Sequence, residues 1–339
     1  MEPIPLFRAA HLLPYIQLLA HIGAPVDSGL RRAKLPIMLV DQPGARVPLL
    51  QTLDFLTDMA HCQGIEDLAL RAREHASIKE LSPVMLNTIS SAPTLKTALE
   101  AAFRLARLEN SQLDIWMVAE KHSVRIYNRH RVPFDLEGAR HLEFNTSMWL
   151  LAIIRAFAGS QWCPKEMAFE STLRPGRYAS ELFPNTRFHI GQKAPWISLP
   201  DSLLALPPLD KQPANRINSS VDSQTDVAID FPGSLKELLK SYLGAGYPCI
   251  ELTAEIAGTS KRTLQRRLDS YNLSYSELIH QVQFESARKM LTDSDTKIVD
   301  IAYAVGYEDP SNFSRAFRRI AGVSPKLYRA QHGKHSIRH

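Results

Sequence analysis

Cysteine is scarce in this 339-residue chain: Cys62, Cys163 and Cys249 are scattered and odd in number. That excludes a disulfide framework, no spacing fits a zinc ligand set, and a reducing, cytoplasmic setting is expected. Long apolar runs are lacking too. None approaches a membrane span, and Met1-Glu-Pro-Ile-Pro5 lacks the basic stretch that opens a secretory leader. Neither membrane attachment nor export is expected. Histidines are frequent (His61, His75, His122, His130, His141, His189), yet HExxH, GxSxG and a glycine-rich phosphate loop are all missing. No catalytic residue, metal or cofactor is expected, and no enzyme activity.

What is present is enough chain for two domains, each able to bury its own core. The 45% hydrophobic and 22% charged residues are ordinary for globular protein, so composition alone decides little. The net charge of +5 says more once it is divided. Residues 1–230 hold 24 Lys and Arg against 24 Asp and Glu, whereas residues 231–339 hold 16 against 11. A basic end on a neutral body is the footprint of a nucleic-acid-binding domain.

That basic end contains a repeat. Glu251–Ser260 followed by Lys261–Leu268 reads as one helix-turn-helix, and Ile298–Tyr307 followed by Pro310–Arg319 reads as another. Ala254 matches Ala302, Ala257 matches Val305, and Gly258 matches Gly306, all 48 residues apart. Leu264 and Leu268 match Phe313 and Phe317, with one extra residue in the second turn. The alanine lets two helices cross closely, and the glycine supplies the left-handed backbone that ends the first helix. Ser260 and Asp309 are placed to cap the second helices, with Pro310 at the first helical position. Apolar residues four apart face inward and leave a polar, basic face outward.

The N-terminal part reads as helices over His11–His21, Val47–Cys62 (stopping at Gly64), Glu66–His75, Pro83–Ser90 and Thr94–Leu108. Leu113–Ala119 and Ser123–Arg129 alternate in twos and predict an antiparallel hairpin. Gly138–Gly159 is a long helix with an apolar second half, and Lys165–Glu170, Arg187–Ile190 and Trp196–Leu199 are candidate strands. The expected fold is an α+β N-terminal domain, with helices packed on a small antiparallel sheet, plus an all-α C-terminal domain with two helix-turn-helix motifs. The domains are placed at 1–205 and 231–332, joined by a Pro-, Ser- and Asn-containing linker over 206–230.

The double motif resembles the AraC/XylS family of bacterial transcription regulators. Ser260–Leu268, Ile301–Tyr307, Ser311–Phe317 and Gly322-Val-Ser-Pro325 with Tyr328 and Arg329 carry the likeness. The first copy departs at Ala257-Gly258-Thr259, which is smaller than the usual apolar residues before the turn. The N-terminal 200 residues are similar to the family's arabinose-binding sensor type, a label that does not establish a sugar ligand. The resemblance implies that Lys261–Ser270 and Pro310–Ile320 enter the major groove of double-stranded DNA. The helix Tyr275–Leu291 would hold them at a fixed spacing along an asymmetric site.

On the outward faces, Arg262, Gln265 and Arg266 in the first copy and Ser311, Asn312 and Arg315 in the second are the candidate base readers. Lys261, Arg267, Arg318, Arg319 and Lys326 are the candidate phosphate contacts. The alternative for each of these charges is a solvated or intramolecular ion pair, least so for Arg266 and Arg315. For the N-terminal domain, Trp116, His141, Asn145, Trp149 and Arg155 are candidate ligand contacts, and core packing accounts for the same residues.

The expected protein is a cytoplasmic activator, homodimeric through its N-terminal domain, meeting RNA polymerase and answering to a small-molecule effector. In one alternative the N-terminal domain only dimerises or binds protein. In another, Cys163 accepts alkyl groups from damaged DNA, as a cysteine does in some relatives; that needs an activated thiolate, and the sequence offers no activating partner.

Overall fold

The computed structural model describes residues 2–132, 138–209, 230–243 and 246–333. Most of the expected linker over 206–230 lies outside the described residues. The chain divides into two compact units. One comprises Pro5–Leu35 and Val47–Val227; the other comprises Met1–Ile4, Pro36–Arg46 and Ala228–His339. Two short N-terminal segments therefore belong with the C-terminal unit, which a contiguous 1–205 domain did not anticipate. Part of the reason is a hydrogen bond from Ile4 N–H to Ser234 Oγ at 2.9 Å, a contact across 230 residues.

The N-terminal unit runs β1 (Leu6–Arg8), α1 (Leu13–His21), α2 (Val26–Arg32), β2 (Arg46–Pro48), α3 (Leu49–Gln63), α4 (Leu68–Arg73), α5 (Pro83–Ser90) and α6 (Leu95–Leu105). Then come β3 (Leu113–Ala119), β4 (Ser123–His130), α7 (Ala139–Ala158), β5 (Glu166–Ala168), α8 (Arg177–Leu182), β6 (Arg187–His189) and β7 (Trp196–Pro200). Gly64 ends α3 in the left-handed region, as its position implied, and Thr94 caps α6 reciprocally with Thr97. Val47 falls in β2 and not in the helix that follows it.

The expected hairpin forms, with Trp116 opposite Tyr127 and Leu113 opposite His130. It belongs to a five-stranded sheet of order β3-β4-β7-β5-β6. All its pairs are antiparallel except β5 with β6, which run parallel, Met167 opposite Phe188. The chain between them crosses over through α8, a connection that parallel neighbours require. Along β4, Val124, Ile126 and Asn128 are buried while their neighbours are partly exposed, which marks the inner face. α7 is buried on nearly every side: its second half is almost all apolar, and its first half buries His141, Glu143, Asn145, Thr146 and Ser147 as well.

The C-terminal unit is all helix after its N-terminal segments: α9 (Phe231–Lys240), α10 (Ile250–Ile256), α11 (Lys261–Asp269), α12 (Tyr275–Asp293), α13 (Ile298–Ala304), α14 (Pro310–Ala321) and α15 (Pro325–His332). Ala254 and Ala302 are buried at the two helix crossings, and Leu264, Leu268, Phe313 and Phe317 point inward. Phe313 and Phe317 join Ala287, Leu291, Ile301, Ala302 and Val305 in one apolar cluster. Each phenylalanine contributes about 1.5–3 kcal/mol by its burial.

The two matched glycines hold the left-handed backbone, Gly258 at φ +62° and Gly306 at φ +86°, but their surroundings differ. A Cβ on Gly258 would meet nothing within 4 Å, whereas one on Gly306 would lie 3.1 Å from the Tyr247 ring. Gly258→Ala should therefore cost only the backbone penalty, about 1–2 kcal/mol. Gly306→Ala should cost more, because the ring must move. Thermal unfolding followed by helical circular dichroism checks this, and equal losses would contradict it. Tryptophan fluorescence serves as a control, since Trp116, Trp149, Trp162 and Trp196 all lie in the N-terminal unit.

Candidate nucleic-acid interface

The two outward helices of the C-terminal unit, α11 and α14, are set up by local chemistry. Ser260 Oγ accepts the Thr263 N–H at 3.2 Å and so caps α11. Asp309 Oδ1 accepts the Ser311 N–H at 2.8 Å at the start of α14, with Pro310 in the first turn. Each cap satisfies a donor that the helix leaves unpaired. Both helices then bury one narrow apolar stripe and expose the rest.

Between them lies α12, a 19-residue helix with its own reciprocal Ser274–Glu277 cap. It is fastened to both copies by polar groups, half-buried at its start and buried at its middle. At its start, the Tyr275 hydroxyl donates to the Pro248 carbonyl at 2.6 Å, and the Thr253 hydroxyl, 2.6 Å away, is left to donate to Tyr275. Burial pushes the Tyr275 phenol up to about 12, so the donor is intact at neutral pH. At mid-helix, the buried Gln283 donates from Nε2 to the Val305 carbonyl at 3.1 Å, in the turn of the second copy. Phe284 and Phe317, 5.1 Å apart, pack beside it. α15 adds a further tie, with Arg329 Nη2 donating to the Thr296 carbonyl at 2.6 Å. Sequence reasoning missed Tyr275, Thr253 and Gln283 as functional positions. The one available signal was a glutamine within the apolar stripe Leu278, Val282, Ala287 and Leu291.

Of the expected base readers, Arg262, Gln265 and Arg266 on α11 and Ser311, Asn312 and Arg315 on α14 are all exposed. On α14, Arg315 Nη2 donates to Asn312 Oδ1 at 2.5 Å. The expected phosphate contacts are less uniform. Arg318, Arg319 and Lys326 are exposed. Lys261 is also exposed but paired with Glu251 at 2.6 Å, a surface pair weak enough to be exchanged for a phosphate. Arg267 departs from the group: it is half-buried, with its guanidinium 5.1 Å from the Phe231 ring of α9. Its charge is spent on packing against α9.

In the N-terminal unit the five candidate ligand contacts do not converge. Asn145 and Trp149, one turn apart on α7, line a small cavity with Phe7, His11, Glu109, Asn110, Leu113 and Thr146. Asn145 Oδ1 and Trp149 Nε1 are buried there without a hydrogen-bond partner, one acceptor and one donor. The cavity has room for about one water molecule, which could bridge the two. Beside it, Glu109 accepts from His11 Nε2 and from the Ser82 N–H, each at 2.8 Å, and Arg8 lies at 3.4 Å. Burial works against the Glu109 carboxylate, but these partners prevail and hold it at about 2, while burial lowers His11.

The other three lie elsewhere. Trp116 is 37% exposed and stacks on Tyr127 at 5.5 Å. His141 is buried, its imidazole lowered to about 4 chiefly by that burial and then by Arg140 and His61, so it is neutral at pH 7. Arg155 donates from Nε to the Trp162 carbonyl at 2.9 Å and from Nη2 to Cys163 Sγ at 3.4 Å. A cationic neighbour for Cys163 does therefore exist, eight residues away along the chain. Glu143, also on α7, was not singled out; burial raises its carboxyl to about 8, so it is largely protonated at neutral pH.

No described helix is long and apolar enough to cross a membrane. Along nearly its whole length the chain is similar to two regulators. It is 23% identical to the ornithine utilization regulator of Pseudomonas aeruginosa, over 97% of this chain and 96% of that one. It is 26% identical to the HTH-type transcriptional regulator VirS of Mycobacterium tuberculosis, over 98% and 99%. The crystal structure of the transcriptional regulator CdpR from Pseudomonas aeruginosa aligns over 90% of this chain and 96% of that one, at 19% identity and a TM-score of 0.38. A family model described as a helix-turn-helix domain matches residues 253–331. Another, the N-terminal arabinose-binding domain of AraC transcription regulators, matches residues 23–208, more than half of the chain. The chain belongs to the AraC family of DNA-binding transcription regulators and carries the family's arabinose-binding-type domain ahead of its helix-turn-helix domain.

Proposed function

We propose that one chain reads two successive major-groove segments of an asymmetric promoter site, α11 in one and α14 in the next, and activates transcription there. The observation that carries this reading is the fastening of α12 to both copies through Tyr275 and Gln283. A 19-residue helix is about 28 Å long, close to the roughly 34 Å that separates successive major-groove faces. Two readers on a stiff spacer of that size favour one side of one duplex.

In this reading Arg262, Gln265 and Arg266 on α11 and Ser311, Asn312 and Arg315 on α14 face base edges. Lys261, Arg318, Arg319 and Lys326 hold phosphates. The domains divide at 206–230, the N-terminal domain dimerises and takes a small-molecule effector, and RNA polymerase is the downstream partner in the cytoplasm. The family's arabinose-binding-type domain supports an effector, although a one-water cavity is not a ready site for one. An N-terminal domain that only dimerises is the second reading, favoured by the failure of the five candidate ligand contacts to converge.

Arg266→Ala and Arg315→Ala should each relax preference at one base pair by about 1–3 kcal/mol. Arg319→Ala should instead weaken binding to all sequences and reduce the salt slope by about one. Competition binding at several salt concentrations separates these outcomes, and identical behaviour of the two classes would refute the assignment. An effector present at 100 times its Kd should stabilise the full chain by about 2.7 kcal/mol. That is a melting shift of several degrees in a screen of small metabolites; a clear negative across a broad library selects the dimerising reading.

A further inference from the structure

We propose that Asn312 is a positioning residue for Arg315, and that the second copy therefore discriminates sequence more sharply than the first. The proposal rests on Arg315 reading a base, as above. Asn312 and Arg315 stand three apart on α14, where helix neighbours share a face. Arg315 Nη2 donates to Asn312 Oδ1 at 2.5 Å, and both side chains are otherwise exposed. A guanidinium only donates, so the amide oxygen must be the atom turned toward it. One corner of the Arg315 fork is thus held while its other N–H groups stay free for a ligand.

Holding matters because a long arginine side chain loses rotamer freedom when it docks. A side chain already restrained has lost part of that freedom beforehand, which strengthens the correct contact. It is also less able to re-aim its fork at a wrong base, so mismatched sites are penalised more.

The first copy has no such device. Arg266 occupies the equivalent place, two residues before the second inward apolar side chain, and Thr263 stands where Asn312 does. Thr263 is turned back toward the helix start, its Oγ1 2.9 Å from Ser260 Oγ. Among the described residues, the Arg266 side chain has no hydrogen bond or ion pair. The two copies thus present the same residue type in two states, held and unheld.

The test uses the full chain and duplexes selected from a random pool, followed by competition with single-base variants of the selected site. Arg315→Ala first identifies the base pair that Arg315 reads. Asn312→Ala should reduce discrimination at that same pair about fivefold or more, leaving neighbouring positions unchanged. Asn312→Asp keeps an acceptor oxygen and should retain the ratio, even though its negative charge weakens binding overall. Thr263→Asn should sharpen preference at the pair read by Arg266. If Asn312→Ala leaves the Arg315 pair as selective as before, the proposal is wrong. It is equally wrong if Asn312→Ala relaxes a different pair in place of the Arg315 pair, because Asn312 would then read a base without positioning Arg315. If Arg315→Ala relaxes no position, the base-reading assignment fails first and takes this proposal with it. Unchanged melting curves of the exposed-site variants exclude unfolding as the cause.

Discussion

Two hydrogen bonds on one helix, one half-buried and one buried, govern the DNA-binding unit. Tyr275 ties the start of α12 to Pro248 and Thr253 beneath the first helix-turn-helix. Gln283 ties its middle to the Val305 carbonyl in the turn of the second. Apolar packing alone would let α12 slide or roll by small amounts, since dispersion and burial are not directional. A buried donor with one available acceptor is different: moving it leaves both groups unpaired, at about 1–3 kcal/mol each. The joining helix therefore sets both the distance and the rotation between the two readers. Their caps and glycines only shape each reader locally.

Within that frame the copies have diverged in what their charges do. The first spends Arg267 on the Phe231 ring and pairs Lys261 with Glu251, so part of its positive charge is engaged inside the unit. The second leaves Arg318 and Arg319 exposed at the end of α14 and restrains Arg315 through Asn312. Its core side chains are also bulkier, with Phe313 and Phe317 in place of Leu264 and Leu268, and Tyr247 stands close to Gly306. The repeat is thus a conserved geometry carrying two different chemistries, which suits an asymmetric site better than a palindromic one.

The sequence made the double motif legible because its features are local. A glycine after a helix, a serine or aspartate before one, and apolar residues four apart each act within a turn or two. The same holds for α6 and for the hairpin. What stayed hidden acts across distance or in short pieces. Tyr275 meets Pro248 across 27 residues and Gln283 meets Val305 across 22, and neither partner is marked by its type. β1 and β2 are three residues each, too short for a period to register. β5 and β6 fall within the expected strands Lys165–Glu170 and Arg187–Ile190, but their parallel pairing depends on the crossover through α8, which no local pattern marks. α2 was hidden by Gly29, which reads as a breaker but fits where a Cβ would lie 2.6 Å from Met59 Sδ. In the N-terminal unit, Asn145 and Trp149 share one small cavity. Only the fold shows that Trp116, His141 and Arg155 point elsewhere, and that Arg155 lies against Cys163.

A stiff joining helix makes the spacing of the two DNA segments as important as their sequence. Affinity should be measured for the selected duplex and for versions with two base pairs inserted between the segments read by α11 and α14. The account predicts that the insertion reduces binding to about that of a duplex carrying a single segment, because the readers cannot follow the added rotation. Affinity undiminished by the insertion would mean that the two helix-turn-helix copies move independently, and the role given to Tyr275 and Gln283 would be contradicted.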